Sequence, residues 1–146
     1  MEITFKIAKN FKQMKIAYQL ISNHYQAMKL DPKNYQKIIE EMINRSQYQM
    51  LLAFNSQNQE LIGVCGFSIA RLFYCGRFLQ VSNLIVDEKN RSKGIGKKIL
   101  NHLYEIANEN NCDKIVLDSY TENKRSQAIY FSEGFYIRAF HFVKDM

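Results

Sequence analysis

The stretch Val81–Ala107 has the sequence VSNLIVDEKNRSKGIGKKILNHLYEIA. Its first six residues are typical of a strand, and the apolar residues near its end recur at helical spacing. Gly94 and Gly96 lie where this helix begins, and without Cβ atoms they let a ligand approach the backbone amides. Free amides and the helix dipole favour an anion there. The basic residues around this position are Arg91, Lys93, Lys97 and Lys98. The stretch therefore predicts a phosphate or pyrophosphate site.

Two common phosphate motifs do not fit these residues. A P-loop requires Ser or Thr after Gly-Lys, and Lys98 stands there. The dinucleotide fingerprint requires a small residue where Ile99 stands. The pattern that fits is Arg/Gln-x-x-Gly-x-Gly/Ala, in the loop Arg91–Gly96. This pattern resembles the loop that cradles the pyrophosphate of acetyl-CoA in the GNAT N-acetyltransferases.

A second stretch strengthens the resemblance. Residues 123–135 read NKRSQAIYFSEGF and are similar to a GNAT segment in which a short helix ends at a glycine and enters a strand. The two matches occur in the family's order and are separated by one strand-like run. The resemblance covers about residues 78–143, while the N-terminal half matches only in its order of elements.

Length, charge and cysteine count indicate which kinds of protein the sequence can encode. A chain of 146 residues with typical apolar and charged fractions predicts one domain, residues 1–146. The net charge is +6, and five basic residues lie in the glycine loop and the helix start, where an anionic cofactor would account for them. The other basic residues are scattered, and a general polyanion surface is the alternative. Three cysteines without a C-x-x-C pair favour neither a metal site nor a disulfide framework. With no signal peptide and no membrane-length apolar run, we expect a cytoplasmic protein.

Periodicity and turn residues predict an α/β fold. The expected sheet is mixed and mostly antiparallel, has about six or seven strands, and carries helices on both faces, as in the GNAT fold. The expected strands are 3–8, 50–54, 61–72, 78–86, 114–118 and 136–143. The expected helices are a stripe from Asn10 to Ile21, a helix opened by Asp31-Pro32 and running to Arg45, the helix after Gly94, and residues 126–132.

The resemblance implies how acetyl-CoA would be held. The backbone of Leu84, Ile85 and Val86 would pair with the pantetheine amides, although all three also suit an ordinary core strand. Asn123 would hydrogen-bond the pantetheine arm, and its alternative role is an N-cap. The residues that would hold the pyrophosphate are Arg91, Ser92, Lys93, Gly94, Ile95, Gly96 and Lys97.

The same resemblance suggests the catalytic groups. Tyr130 is the candidate general acid, since a phenol stays protonated at neutral pH and can protonate the leaving thiolate. Its alternative role is a core tyrosine. Many family members have a glutamate on the central strand, but residues 78–86 contain no carboxylate, and Asn83 stands near that position. Asp118 is the candidate base, with Glu122, a water chain or an already neutral amine as alternatives and His141 as an outside candidate.

The resulting expectation is an N-acetyltransferase that moves the acetyl group of acetyl-CoA to a primary amine by direct attack in a ternary complex. The acceptor is a small molecule, peptide or protein, and its pocket is expected at the first two helices and the last strands. A non-catalytic acyl-CoA-binding module is the alternative, and a nucleic-acid-binding protein ranks below both. We expect no metal and no membrane partner, and a homodimer is left open.

Overall fold

The computed structural model describes all 146 residues. Short 3-10 turns at Lys15–Ala17, Gln26–Met28 and Glu88–Asn90 join some of the elements. The strands are β1 (Ile3–Ala8), β2 (Gln49–Asn55), β3 (Leu61–Leu72), β4 (Gly76–Val86) and β5 (Lys114–Leu117), and the helices are α1 (Phe11–Met14), α2 (Tyr18–His24), α3 (Pro32–Ser46), α4 (Ile95–Glu109) and α5 (Lys124–Ser132). Most bounds agree with the sequence expectation to within a few residues, which is the usual uncertainty of element ends.

The start of α3 shows how local sequence sets these bounds. The Asp31 carboxylate accepts a hydrogen bond from the backbone N–H of Asn34 at 2.7 Å, and Pro32 occupies the first turn. Both features satisfy a helix start, because an Asp N-cap fills an orphan donor and proline lacks the donor altogether. The helix ends where Gln47 adopts a left-handed φ of 52°. The expected single stripe from Asn10 to Ile21 is instead divided into α1, a 3-10 turn and α2.

The sheet has the order β1-β2-β3-β4-β5, and the first four strands pair antiparallel. Just before β5, Asp113 N–H donates to Arg77 O at 2.6 Å and the Asp113 carboxylate accepts from Arg77 N–H at 3.0 Å. Both β4 and β5 therefore start at the same end of the sheet and run parallel, as a crossover through α4 requires. The expected mixed, mostly antiparallel α/β class is confirmed.

Helices cover both faces of the sheet. Met14, Ile21, Tyr35 and Ile39 from the first three helices join one buried cluster with β2, β3 and β4, while α4 contacts β3 and β4. Two glycines of β3 mark the two faces. A Cβ on Gly63 would meet Ile99 of α4, and one on Gly66 would meet Tyr48 and Asn83.

The expected last strand, 136–143, is wrong. The structure has no strand there, and the side chains of Tyr136, Phe140 and Phe142 are 72%, 82% and 91% exposed. Aromatic and β-branched residues favour a strand only where a neighbour supplies hydrogen bonds and packing, and no ladder reaches this stretch. The sheet therefore has five strands instead of six or seven.

The chain forms two compact units, Met1–Val116 and Leu117–Met146. The first contains β1 to β4, α1 to α4 and most of β5, and the second contains α5. The expectation of one domain over residues 1–146 stays a prediction. None of the helices combines the length and the apolar character needed to cross a membrane.

The contacts around the two glycines of β3 lead to a prediction about stability. Gly66→Ala should lower the free energy of unfolding by about 1–3 kcal/mol, because its Cβ would overlap both Asn83 Oδ1 and Tyr48 Oη. Gly63→Ala is the matched control on the same strand, since the nearest atom is the flexible Ile99 Cδ1 at 2.9 Å. Urea unfolding of both variants measures the difference. Equal unfolding midpoints would contradict the assigned packing of Gly66.

Candidate functional site

The glycine loop opens directly into α4. Gly94 is the N-cap of this helix with φ 75°, and no side chain caps it. A Cβ placed on Gly94 or on Gly96 would meet nothing within 4 Å. The first amides of a helix have no intrahelical partner, and the first turn of α4 contains no acidic residue. The loop therefore offers free donors, a favourable dipole and open space, which together suit a phosphate group.

The basic side chains around the loop take different positions. Arg91 Nε donates to Val86 O at 3.3 Å, which ties the loop to the end of β4. Lys98 Nζ donates to Met1 O at 3.1 Å, so its charge is held beside the start of the chain. Lys93 and Lys97 are exposed and add positive charge to the loop. Ile95 is buried and anchors the first turn of α4 to the core.

The strand before the loop contains a bulge. Gly66 pairs with Asn83 and Phe67 pairs with Val81, so Ser82 is an extra residue on β4. A bulge bends a strand and re-aims the side chains beside it, and bulges are frequent next to active sites. Leu84, Ile85 and Val86 follow the bulge and pair with β3 along one edge.

On the other edge of β4, strand β5 pairs along only part of the length. The four-residue strand β5 begins beside Arg77, at the start of β4. A parallel neighbour of that length reaches only to about Val81. Beyond the bulge, the backbone of Leu84, Ile85 and Val86 therefore lies past the end of β5. The pairing of this backbone with pantetheine stays a prediction.

A cavity of about 220 Å³ lies between the first helices and the bulge of β4. Much of its wall is apolar, from Ile21, Met28, Ile39 and Met42, and tyrosine rings complete it. Ser82 and Asn83 form its β4 side. None of the lining residues is charged. The first helices, where the sequence analysis expects the acceptor pocket, supply much of this lining, and the binding of an acceptor there stays a prediction.

A polar pair stands in this wall. Tyr48 Oη donates to Asn83 Oδ1 at 2.8 Å, and Ser82 Oγ lies 3.5 Å from the same oxygen. The amide nitrogen Asn83 Nδ2 is buried and has no hydrogen-bond partner. The pair fits against β3 because Gly66 has no side chain.

Two tyrosines of the cavity lining, Tyr48 and Tyr35, have a raised pKa. Burial raises the pKa of Tyr48, and this outweighs the lowering by its hydrogen bond to Asn83. Burial also raises the pKa of Tyr35, whose hydroxyl donates to Met14 O at 2.7 Å. Neither group can accept a proton as a base at neutral pH. These hydroxyls therefore act as hydrogen-bonding and packing groups.

His24 lies at the end of α2. It is exposed, and its ring contacts the Tyr25 ring edge to face at a centroid distance of 4.7 Å. Burial, and then the positive charge of Arg91, lower the pKa of His24. Its imidazole is therefore neutral near pH 7.

Two further sequence candidates lie in the unit Leu117–Met146. Asn123 Oδ1 accepts a hydrogen bond from Ser126 N–H at 3.2 Å, so Asn123 has the N-cap role that was its alternative. Tyr130 is half-buried on α5 and packs edge to face against Phe135 at 5.8 Å. The pairing of Tyr130 and Phe135 belongs to the motif that suggested the resemblance. The roles of Asn123 and Tyr130 toward acetyl-CoA stay predictions.

The same unit brings the two candidate bases together. His141 Nδ1 lies 3.1 Å from Asp118 Oδ2, and both side chains are more than 60% exposed. A carboxylate next to an imidazole nitrogen can fix the tautomer and orientation of the ring. Sequence reasoning proposed the two residues separately and did not pair them, since 23 positions separate them.

Sequence reasoning missed Tyr48. Its partner Asn83 was noticed only because an acid was expected near it. The available signal was Gly66, a glycine in the middle of an apolar strand, which often marks a bulge or a close approach of other atoms. Here it marks both, because the bulge at Ser82 and the Tyr48–Asn83 pair lie opposite Gly66.

Known proteins resemble the chain along most of its length. Residues 10–135 match the acetyltransferase (GNAT) family. An uncharacterized N-acetyltransferase, YhdJ of Bacillus subtilis, is 24% identical over 80% of this chain and 82% of its own. Glucosamine 6-phosphate N-acetyltransferase of Arabidopsis thaliana is 34% identical, but the match spans only 34% of each chain. The crystal structure of ribosomal-protein-alanine N-acetyltransferase from Brucella melitensis has a TM-score of 0.82 at 20% identity, with 99% of each chain covered.

Prediction for the loop. Gly94→Asp should weaken the binding of CoA at least about tenfold relative to Gly94→Asn, because a carboxylate in the loop repels a pyrophosphate. The two variants are matched, since Asp and Asn have the same size and both tolerate the left-handed conformation of Gly94. Isothermal titration with CoA at low ionic strength measures the ratio. Equal affinities would mean that the anion binds elsewhere.

Proposed function

The chain belongs to the GNAT family of acetyltransferases, and we propose that it transfers the acetyl group of acetyl-CoA to a primary amine by direct attack in a ternary complex. The observation that carries this proposal is the uncapped start of α4 beside open space at Gly94 and Gly96. The uncharged cavity on the helix side of β4 supplies a separate place for the acceptor. Acetyl-CoA supplies the activated thioester.

The residues that would hold acetyl-CoA lie on β4 and the loop that follows. The backbone of Leu84, Ile85 and Val86 would pair with the pantetheine amides along the edge that β5 does not reach. Free amides at the start of α4 would hold the pyrophosphate, and Asn123 would bind the pantetheine arm. The loop residues in this role are Arg91, Ser92, Lys93, Gly94, Ile95, Gly96 and Lys97.

Proton transfer needs two groups. Tyr130 would protonate the leaving thiolate, because a phenol is a donor at neutral pH. Asp118, which lies next to His141, would accept the proton of the amine. A neutral amine needs less help, and the lack of charged groups in the cavity lining favours binding of that form.

The setting of the reaction is part of the same proposal. All three cysteines are free, which suits a reducing compartment, and we place the protein in the cytoplasm. Its partners in this proposal are acetyl-CoA and the acceptor amine. A homodimer is compatible with it, and a nucleic-acid partner is not needed to account for the basic loop.

The test of the function is an acetyl-transfer assay. With acetyl-CoA and a panel of primary amines, we expect release of free CoA thiol together with an acetylated amine identified by mass spectrometry. Gly94→Asp should lower both signals at least about tenfold at low acetyl-CoA relative to Gly94→Asn. Binding of acetyl-CoA in a thermal-shift titration without transfer to any amine would favour the alternative, a non-catalytic acyl-CoA-binding regulatory module. That alternative is supported by the absence of a carboxylate on β4.

Prediction for the general acid. Tyr130→Phe should lower kcat by about 100-fold or more, the usual contribution of a positioned proton donor, with little change in acetyl-CoA affinity. Tyr120→Phe is the matched control, because Tyr120 lies in the same unit and its side chain is 80% exposed. Steady-state kinetics with saturating acceptor measure the effect. Unchanged turnover in Tyr130→Phe would rule out this role.

A further inference from the structure

The cavity beside the β4 bulge is mostly apolar, and none of its lining residues is charged. Apart from Ser82 and Asn83, its lining is aliphatic and aromatic, and it contains no carboxylate, lysine, arginine or histidine. A charged substrate entering it would lose hydration without gaining an ion pair, which is unfavourable. The volume of about 220 Å³ lies below the range of drug-sized sites. The cavity therefore suits a small apolar body.

One donor in this wall has no partner. Tyr48 Oη donates to Asn83 Oδ1, which leaves the amide nitrogen Nδ2 as the free end of the side chain. This nitrogen is buried and makes no hydrogen bond, although buried polar groups are almost always paired. Asn83 lines the cavity, so a ligand oxygen that reaches this nitrogen from the cavity would satisfy it.

The surroundings of Asn83 hold its side chain in one orientation. The hydroxyls of Tyr48 and Ser82 both lie within 3.5 Å of Oδ1. Opposite them, Gly66 of β3 leaves room for the Tyr48–Asn83 pair. A donor fixed in this way discriminates between ligands, because it gains a bond only from those with an acceptor atom in the matching place.

We propose that the cavity selects an acceptor with a primary amine on a small, uncharged, apolar body. The carbon that bears the amine also bears a carbonyl group, and the oxygen of this carbonyl binds Asn83 Nδ2. This inference rests on the proposed function, since it names the substrate class of the same reaction. Asn83 is a specificity-determining residue in it. Amides of apolar amino acids, and the α-amines of peptides that begin with them, have this chemistry.

The uncharged lining of the cavity also excludes two other classes of amine as acceptors. Polyamines carry several positive charges, and the lining offers no carboxylate to pair with them. Phosphorylated amino sugars carry a negative charge and many hydroxyls, and the lining offers no cation and few polar groups. Both would leave charges unpaired in an apolar wall.

The test is a competition in one tube between matched amines. Each pair contains an amino acid amide and the amine that lacks its carboxamide: alaninamide and ethylamine, leucinamide and isopentylamine, and phenylalaninamide and phenylethylamine. Spermidine and glucosamine 6-phosphate represent the charged classes. The ratio of acetylated products, read by mass spectrometry, does not depend on how much enzyme is folded.

The wild-type ratio is then compared with that of Asn83→Asp, which keeps the shape but replaces the donor with an oxygen. Differences in the reactivity of the amines cancel in this comparison. We expect the preference for the amide to fall at least about tenfold in at least one pair. Asn83→Ala, which removes the donor without adding charge, should lower it in the same direction.

Three results would overturn the inference. In the first, the ratio is the same in the wild type and in both variants, while all of them transfer acetyl groups. In the second, spermidine or glucosamine 6-phosphate is acetylated faster than every amide by the wild type. In the third, no amine is acetylated, and then the proposed transfer function fails as well; a thermal-shift titration of the same sample shows whether acetyl-CoA still binds.

Discussion

The bulge at Ser82 is the constraint on which both layers of the first unit depend. In a regular strand, Leu79, Val81, Asn83 and Ile85 would all face one side of the sheet. The extra residue changes this, because Phe67 pairs with Val81 while Gly66 pairs with Asn83. Leu79 and Val81 therefore lie on the face that α4 covers, and Asn83 and Ile85 lie on the face of the first helices. A one-residue shift of register would move each of these sets to the opposite face, against the wrong layer of helices.

The bulge also lets one strand provide two kinds of surface. Past Ser82, the side chain of Asn83 borders the cavity, whereas the backbone of the next residues extends past the end of β5. Side chains leave a strand perpendicular to the direction of its hydrogen bonds. A ligand paired with the backbone edge and a ligand in the cavity can therefore meet beside the bulge without competing for the same atoms.

Local sequence signals predicted much of this arrangement. The start of α3 at Asp31-Pro32 and the start of α4 at Gly94 follow from capping and glycine rules that involve only neighbouring residues. The stretch 136–143 was predicted wrongly, because its strand pattern needs a partner strand that local sequence does not specify. The Tyr48–Asn83 pair was also beyond prediction, since 35 positions separate the two residues and only the pairing of β3 with β4 brings them together.

The missing carboxylate on β4 has a physical consequence for the acceptor. An acid in this apolar wall would pair with an ammonium group and keep the amine protonated, so that a second group would have to remove the proton. Asn83 has a similar shape but no charge, and its surroundings give a cation no compensation for lost hydration. An amine entering the cavity is therefore favoured in its neutral, nucleophilic form, with its proton already left in water. The cost of deprotonation then depends on the amine itself. A carbonyl on the carbon that bears the amine lowers this cost by withdrawing electrons. In the proposed selection of acceptors, the same carbonyl would supply the oxygen that Asn83 Nδ2 lacks, so reactivity and recognition would favour the same class of acceptor.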